Sequence, residues 1–225
     1  MRKMSTVVSQ PLCAGQRLKR DEFLRRWEAM PEVKQAELIS GLVHLPSPIC
    51  NDHSSHHNLA SGWLGYYAAR TPGSEAGSNG TWLMLEDAPQ PDVHLRILPK
   101  YGGQSRVEGP YCAGAPELAA EIGLSSASYD LGPKMELYRA AGVQEYVAVL
   151  LGESRVVWYR LVDGQYVPLQ PGSDGLLRSV VFPGLWLDPG ALLGLNGARV
   201  FDVLDLGLHS PEHQDFVRAL DQRRS

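Results

Sequence analysis

The sequence has few cysteines and no long run of apolar residues. Its three cysteines, Cys13, Cys50 and Cys112, lie far apart and form no Cys-x-x-Cys pair, which argues against a disulfide framework and a zinc-thiolate site. No apolar stretch approaches the roughly 20 residues that a membrane-spanning helix requires. The segment up to Gln16 also lacks the apolar core of a signal peptide. We therefore expect a cytoplasmic protein that does not contact a membrane.

The sequence also lacks a surplus of positive charge. Its formal net charge is −4, whereas proteins that bind nucleic acid usually carry a basic surplus. Basic residues cluster over 17–26 and 218–224, but they are interleaved with acids or terminal, as is typical of solvated helix faces. Because a local basic patch can suffice, nucleic-acid binding remains open. Hydrophobic residues make up 44% of the chain, enough for a sizeable core.

Three common catalytic motifs are missing from the sequence. There is no Walker loop, no dinucleotide-binding glycine pattern and no Gly-x-Ser-x-Gly. This excludes the usual forms of P-loop nucleotide hydrolases, Rossmann oxidoreductases and serine α/β-hydrolases.

Hydrophobic periodicity predicts alternating helices and strands in one α/β domain. We expect helices over 18–30, 53–69, 132–141, 189–193 and 211–223. We expect strands over 37–45 (two short ones about a Ser-Gly turn), 81–85, 92–98, 117–124, 146–151 and 156–161, with an edge strand over 165–169. The Gly-, Pro- and Ser-rich stretches 70–80 and 99–115 predict loops. The predicted organisation is a mobile leader over 1–16, a main domain over 17–190 and a C-terminal helical extension over 191–225.

Two carboxylates and a lysine lie where the predicted elements could bring them together. Pro91 favours an extended residue before it, so Asp92 is expected to start a strand. Glu121 interrupts an apolar run, where a carboxylate is costly unless it is paired or bound to a metal. Lys134 lies in the first turn of the next helix and could reach Glu121 if that helix packs on the sheet. Such a set can hold Mg²⁺ and activate water for phosphodiester hydrolysis, although strand-end acids and a helix-end lysine are also common without function.

The order of several short motifs resembles the Uma-two family, which consists of bacterial restriction-endonuclease-like proteins within the PD-(D/E)XK nuclease superfamily. The resemblance covers about residues 20–190. It rests on Gln90-Pro91-Asp92-Val93, on Gly114-Ala115-Pro116-Glu117-Leu118 with Glu121-Ile122, on Tyr129-Asp130-Leu131 with Lys134, and on residues 138–146. Flanking segments agree, namely residues 37–41, 45–48 followed by His53, and 181–187.

The resemblance implies a restriction-endonuclease-like α/β core, in which helices flank a mixed central β-sheet, with an N-terminal helix and a C-terminal extension. It implies DNA cleavage that depends on Mg²⁺, with Mn²⁺ as a substitute. The implied site residues are Asp92 and Glu121 as metal ligands, the Ile122 carbonyl as a third ligand, Lys134 as the catalytic lysine, and Glu37 and Asp130 at the border. In the general pattern of the superfamily a lysine stands at the position that Gly123 occupies in this sequence. The resemblance implies that Lys134 supplies this lysine from the next helix.

Two other functions are compatible with the sequence. One is a nuclease-fold protein that binds nucleic acid or a protein partner without cutting it. The other is a zinc-dependent hydrolase that uses His53, His56 and His57, since residues three and four apart share a helix face. A homodimer is expected from the base rate for soluble oligomers.

Overall fold

The computed structural model describes residues 10–45, 50–123 and 132–224. Within these ranges the helices are α1 (Arg20–Glu28), α2 (Asn51–Arg70), α3 (Pro133–Ala141), α4 (Pro189–Leu193), α5 (Gly197–Leu208) and α6 (Pro211–Gln222). The strands are β1 (Glu37–Ile39), β2 (Leu42–His44), β3 (Ser74–Ser78), β4 (Trp82–Leu83), β5 (Val93–Ile97), β6 (Arg106–Glu108), β7 (Tyr111–Ala113), β8 (Leu118–Gly123), β9 (Glu145–Leu150), β10 (Arg155–Val162), β11 (Gln165–Pro168), β12 (Leu177–Arg178) and β13 (Trp186–Leu187). Asp130 lies outside the described residues.

A six-stranded mixed sheet forms the centre of the molecule. Its strand order is β11-β10-β9-β8-β5-β3. Only β8 and β9 of this sheet run parallel, and the other neighbours are antiparallel. A parallel pair requires a crossover connection, and α3 lies in the segment between these two strands. The predicted mixed sheet with flanking helices is confirmed.

The strand β8 is buried along its whole length and has two different faces. Leu118, Ala120 and Ile122 belong to the same core cluster as Trp63 of α2. The alternate residue Ala119 packs in a second cluster, which includes side chains of α3. Because side chains alternate across a strand, Glu121 lies on the α3 face. The strand lies in the middle of the sheet, and its Glu121 carboxylate is buried in the interior.

The long helix α2 covers one face of the sheet. Trp63, Leu64 and Tyr67 are fully buried, so this side of the helix belongs to the core. The helix begins slightly earlier than predicted. Its N-cap is Cys50, whose sulfur accepts the N–H of His53 at 3.5 Å.

Two stretches that were predicted as loops contain strands. Residues 74–78 form β3, the edge strand antiparallel to β5. Its composition is unusual for a strand, but Gly77 has a packing reason, because a Cβ there would lie 2.6 Å from the ring of His94. Within 99–115, β6 and β7 pair with each other, and β7 also pairs with β4. The helix α5 was not predicted at all.

The predicted C-terminal extension packs into the main core. Val200, Leu204 and Leu208 of α5 and Leu220 of α6 are buried in the cluster that also contains Trp63. The boundary at residue 190 stays a prediction. None of the described helices is long and apolar enough to cross a membrane.

The described part of the predicted leader, residues 10–16, contacts β2. The N–H of Gly15 donates to the carbonyl of Val43 at 2.8 Å, and the N–H of Val43 donates to the carbonyl of Gln16 at 2.8 Å. Leu12 is buried beside them. The boundary between leader and domain also stays a prediction.

Candidate active site

Asp92 and Ile122 join the ends of two neighbouring strands. The register of β5 and β8 pairs Val93 with Ala120, which places Asp92 beside the end of β8. Asp92 Oδ2 accepts the N–H of Ile122 at 2.8 Å. The N–H and C=O of one strand residue point to the same side, so the carbonyl of Ile122 also faces Asp92. A backbone oxygen and two carboxylates thus converge at one end of the sheet.

Glu121 is bound by two side chains of α3. Its Oε2 lies 3.0 Å from Lys134 Nζ, and its Oε1 accepts the hydroxyl of Tyr138 at 2.6 Å. Lys134 and Tyr138 are four residues apart and therefore project from the same face of the helix. All three residues are buried. The crossover helix thus supplies the partners that a carboxylate in the sheet interior requires.

Glu37 reaches the same lysine from a different part of the chain. Its Oε1 lies 2.9 Å from Lys134 Nζ and also accepts the N–H of Gln90 at 2.7 Å. The carbonyl of Gln90 is 3.5 Å from the same ammonium group. The lysine therefore lies between Glu37 and Glu121. The structure brings together Asp92, Glu121, Lys134 and Glu37, four of the side chains that the sequence analysis proposed for the site, whereas Asp130 lies outside the described residues.

The cluster has three carboxylates around one ammonium group, and burial strengthens their interactions. Burial by itself lowers the pKa of Lys134, but the charges of Glu121, Glu37 and Asp92 outweigh it and raise that pKa well above its usual value. Lys134 is therefore protonated at neutral pH. Burial raises the pKa of Glu121 well above its usual value; Lys134 opposes that rise, and the other two carboxylates add to it.

Asp92 has a different electrostatic setting from Glu121. Burial alone would raise its pKa, but a hydrogen bond from His53, the charge of Lys134 and the N–H of Ile122 together lower it. Asp92 is therefore ionised at neutral pH.

The donor set fits a hard divalent cation. The cluster has more negative than positive groups, so a cation would balance it, and carboxylate and carbonyl oxygens are the ligands that Mg²⁺ prefers. Both carboxylate oxygens of Glu121 accept hydrogen bonds, and each has a second lone pair that a cation can use. Among the residues that the structure describes, no group of three or more His, Cys, Asp or Glu side chains could hold a metal ion. A metal at this cluster would therefore need backbone or water ligands in addition to the side chains.

The three histidines of α2 do not form one site, which corrects the zinc alternative. His53 Nε2 lies 3.4 Å from Asp92 Oδ2, and His57 Nε2 is 2.9 Å from the backbone oxygen of Asp92. The ring of His56 turns away, because its Nε2 lies 3.1 Å from the carbonyl of Leu193 in α4. His53 and His57 instead fix Asp92 from two sides.

Two residues beside the site contact partners that the sequence did not predict for them. Tyr138 binds Glu121, and its signal was its position four residues after Lys134. His57 binds the backbone of Asp92, and its signal was its position four residues after His53. Spacing alone indicated a shared face in both cases, but not which partner that face would meet.

Comparisons with known proteins identify the family of the chain and a shared fold. A family model described as "Putative restriction endonuclease", that of the Uma-two family, matches residues 20–190. A crystal structure of a "putative nuclease belonging to DUF820" from Anabaena variabilis ATCC 29413 has a TM-score of 0.60 and 18% identity, and the match covers 78% of this chain and 99% of that chain. At that identity the likeness shows a shared fold. No curated protein matches. The family match covers most of the chain, and the chain therefore belongs to the Uma-two family of restriction-endonuclease-like proteins.

Proposed function

We propose that this protein is a nuclease that hydrolyses phosphodiester bonds of DNA and depends on a divalent metal. The observation that carries the proposal is that Asp92, just before β5, binds the N–H of Ile122 in the strand that carries Glu121, with Lys134 3.0 Å from Glu121. Family membership supports the same reaction class.

Asp92, Glu121 and the carbonyl of Ile122 are the proposed metal ligands. Mg²⁺ is the proposed ion and Mn²⁺ its substitute, because both accept oxygen ligands. When bound, such an ion neutralises charge on a non-bridging phosphate oxygen and lowers the pKa of a water. Asp92 is suited to this because its low pKa keeps it ionised.

Lys134 acts as a donor in this proposal. Its raised pKa keeps it protonated, so it orients the attacking water and offsets the negative charge that develops on the phosphate. Glu37 pairs with the same ammonium group at 2.9 Å. Tyr138 fixes the Glu121 carboxylate, and His53 and His57 fix Asp92, so that the ligands are oriented before substrate arrives.

The test is cleavage of plasmid and single-stranded DNA with Mg²⁺ or Mn²⁺, with and without EDTA. Asp92→Asn, Glu121→Gln and Lys134→Ala should each lower the cleavage rate by at least about a hundredfold. Glu136→Gln is the matched control, because Glu136 is on α3 but is exposed and pairs with Arg139. Calorimetry with Mn²⁺ should show weaker metal binding in Asp92→Asn. Full cleavage by that variant would refute the metal assignment.

A second candidate is binding of nucleic acid or a protein partner without cleavage. Both oxygens of Glu121 and the ammonium group of Lys134 are already held by protein groups, and the net charge is −4. Salt-dependent DNA binding without turnover in any metal would favour this function over the first.

Location and assembly complete the proposal. A cytoplasmic protein follows from the sequence, and a homodimer would place two centres where both strands of a duplex can be cut. Light scattering of the purified protein tests the dimer, and a monomeric mass with and without DNA would refute it.

A further inference from the structure

A second concave site lies at the end of the central sheet opposite the acidic cluster. The strand β5 begins next to Asp92 and ends at Ile97, which lines a cavity of about 540 Å³. Five residues of extended strand separate the two by about 17 Å. Glu117, which precedes the first residue of β8, lines the same cavity, whereas Glu121 lies further along that strand. The cavity is therefore separate from the proposed metal site.

The cavity has the size and the mixed lining of a small-molecule site. Its volume falls in the range of about 300–1,000 Å³ that is usual for ligand pockets. Val181 and Phe216, both half-buried, supply apolar wall, and the amide of Gln144 supplies a polar group. Phe216 belongs to α6, so the predicted C-terminal extension forms part of the wall.

Two arginines give the cavity its charge. Arg160 of β10 and Arg223 at the end of α6 both line it and are exposed. Neither has a carboxylate within 4.0 Å among the described residues, whereas Arg155 on the same strand as Arg160 pairs with Glu153 at 2.7 Å. Two guanidinium groups without carboxylate partners favour a doubly charged oxyanion, because each offers a planar fork of donors.

The acidic residues in and beside the cavity are buried, and their oxygens accept hydrogen bonds from the protein. Glu117 is 1% exposed, and its oxygens accept the N–H groups of Ile97 at 2.7 Å and Gln104 at 3.0 Å. Glu145, opposite Arg160 in the sheet, is fully buried. Its oxygens accept hydrogen bonds from the side chains of Trp158 and Ser179 and from the N–H groups of Val180 and Val181. The open side of the cavity therefore presents positive charge beside an apolar wall.

We propose that this cavity binds the phosphomonoester group of a nucleotide, with Arg160 and Arg223 on the phosphate and the base against Val181 and Phe216. A phosphomonoester carries close to two negative charges at neutral pH, and a base offers a flat face to an aromatic ring. The same chemistry occurs in a free nucleoside monophosphate and at a 5′-phosphorylated strand end. This site does not depend on the metal centre.

Calorimetry with dAMP in EDTA tests the proposal without the metal-dependent reaction. Wild-type protein should bind dAMP, and Arg160→Gln and Arg223→Gln should each weaken the affinity by at least about tenfold, as loss of a charge-assisted hydrogen bond predicts. Arg155→Gln is the matched control and should bind as wild type does. Because these arginines are exposed, all three variants should keep the wild-type unfolding temperature.

Two further probes separate the parts of the ligand. Deoxyadenosine and inorganic phosphate should each bind at least about tenfold more weakly than dAMP, since each lacks one half of the contacts. Competition by a 5′-phosphorylated oligonucleotide, and not by its 5′-hydroxyl form, would assign the site to strand ends; no competition by either would assign it to free nucleotide. The proposal is overturned if dAMP gives neither heat nor a shift in unfolding temperature, or if both arginine variants bind dAMP as wild type does.

Discussion

The hydroxyl of Tyr138 donates a 2.6 Å hydrogen bond to the carboxylate of Glu121 in the interior of the protein. Both residues are buried, so neither group can exchange this partner for water. Tyr138 thereby holds one oxygen of Glu121 while Lys134 holds the other. The orientation of a proposed metal ligand is thus fixed by one turn of the crossover helix.

Tyr138→Phe should lower the free energy of unfolding by about 1–3 kcal/mol at neutral pH, because it leaves a buried carboxylate oxygen without its donor. Urea denaturation measures this. Tyr111→Phe is the control, since the hydroxyl of Tyr111 contacts the exposed Glu28 at 3.1 Å, and its loss should change stability by less than about 0.5 kcal/mol. Equal effects of the two changes would contradict a special role for Tyr138.

Local sequence patterns were sufficient to predict the parts of the site. An apolar run predicts the strand β8. Pro133 in the first turn and Gly142 at the end predict the helix α3. The position of Asp92 likewise follows from a neighbouring residue in the sequence. The contact of Glu37 with Lys134 joins residues far apart in the sequence, and only the family resemblance placed Glu37 at the site.

Packing decided the features that the sequence did not predict. Within α2, side chains four residues apart point in more similar directions than side chains three residues apart. His53 and His57 therefore contact Asp92, whereas His56 contacts Leu193. In β3, composition predicted a loop because strand propensity disfavours glycine. Pairing with β5 overrides that preference, and this pairing is not visible in the local sequence.

Gly77→Ala tests whether packing explains the glycine in β3. The added Cβ would lie 2.6 Å from the ring of His94, so the variant should be less stable by about 1–3 kcal/mol. Gly65→Ala is the opposite case, because nothing lies within 4 Å of a Cβ at that position in α2. It should raise stability by about 0.5–1 kcal/mol through helix propensity. Urea denaturation of both variants checks the pair, and a neutral Gly77→Ala would contradict the packing explanation.

The buried His94 should make stability depend on pH. Burial, with a smaller effect from Arg96, lowers its pKa from 6.5 to about 4. The unfolded chain therefore binds a proton that the folded protein excludes as pH falls from 6.5 to 4. Above pH 6.5 this difference in proton binding does not lower the free energy of unfolding. Below pH 4 it lowers the free energy of unfolding by about 3 kcal/mol.

His94→Gln should remove that contribution, and its amide oxygen can still accept the Trp82 N–H that His94 accepts at 3.4 Å. The difference in unfolding free energy between variant and wild type should shift in favour of the variant as pH falls through this window. His209→Gln, at an exposed histidine, is the control. Parallel stability curves for His94→Gln and wild type would contradict the prediction.

Lys134→Met should have the largest effect of these substitutions on both stability and cleavage. It removes the ammonium group that pairs with Glu121 at 3.0 Å and with Glu37 at 2.9 Å. Breaking a buried pair in this way destabilises proteins by about 3–5 kcal/mol. The exposed Lys34→Met is the control and should be nearly neutral. Cleavage should be lost because no donor remains for the attacking water.

The loss of stability in Lys134→Met should shrink in acid. Burial already raises the pKa of Glu121, and removal of Lys134 takes away the largest influence that lowers it. The folded variant therefore binds a proton on Glu121 over a range of pH in which the unfolded chain, with a pKa of about 4.3, does not. Because Glu121 already has a raised pKa in the wild-type protein, the stability of the variant relative to wild type should fall as pH rises through that raised pKa and recover as pH falls below it. Urea denaturation from pH 4 to pH 8 measures this difference. A deficit that stays constant across that range would mean that lost packing of the lysine chain, and not the unpaired carboxylates, destabilises the variant.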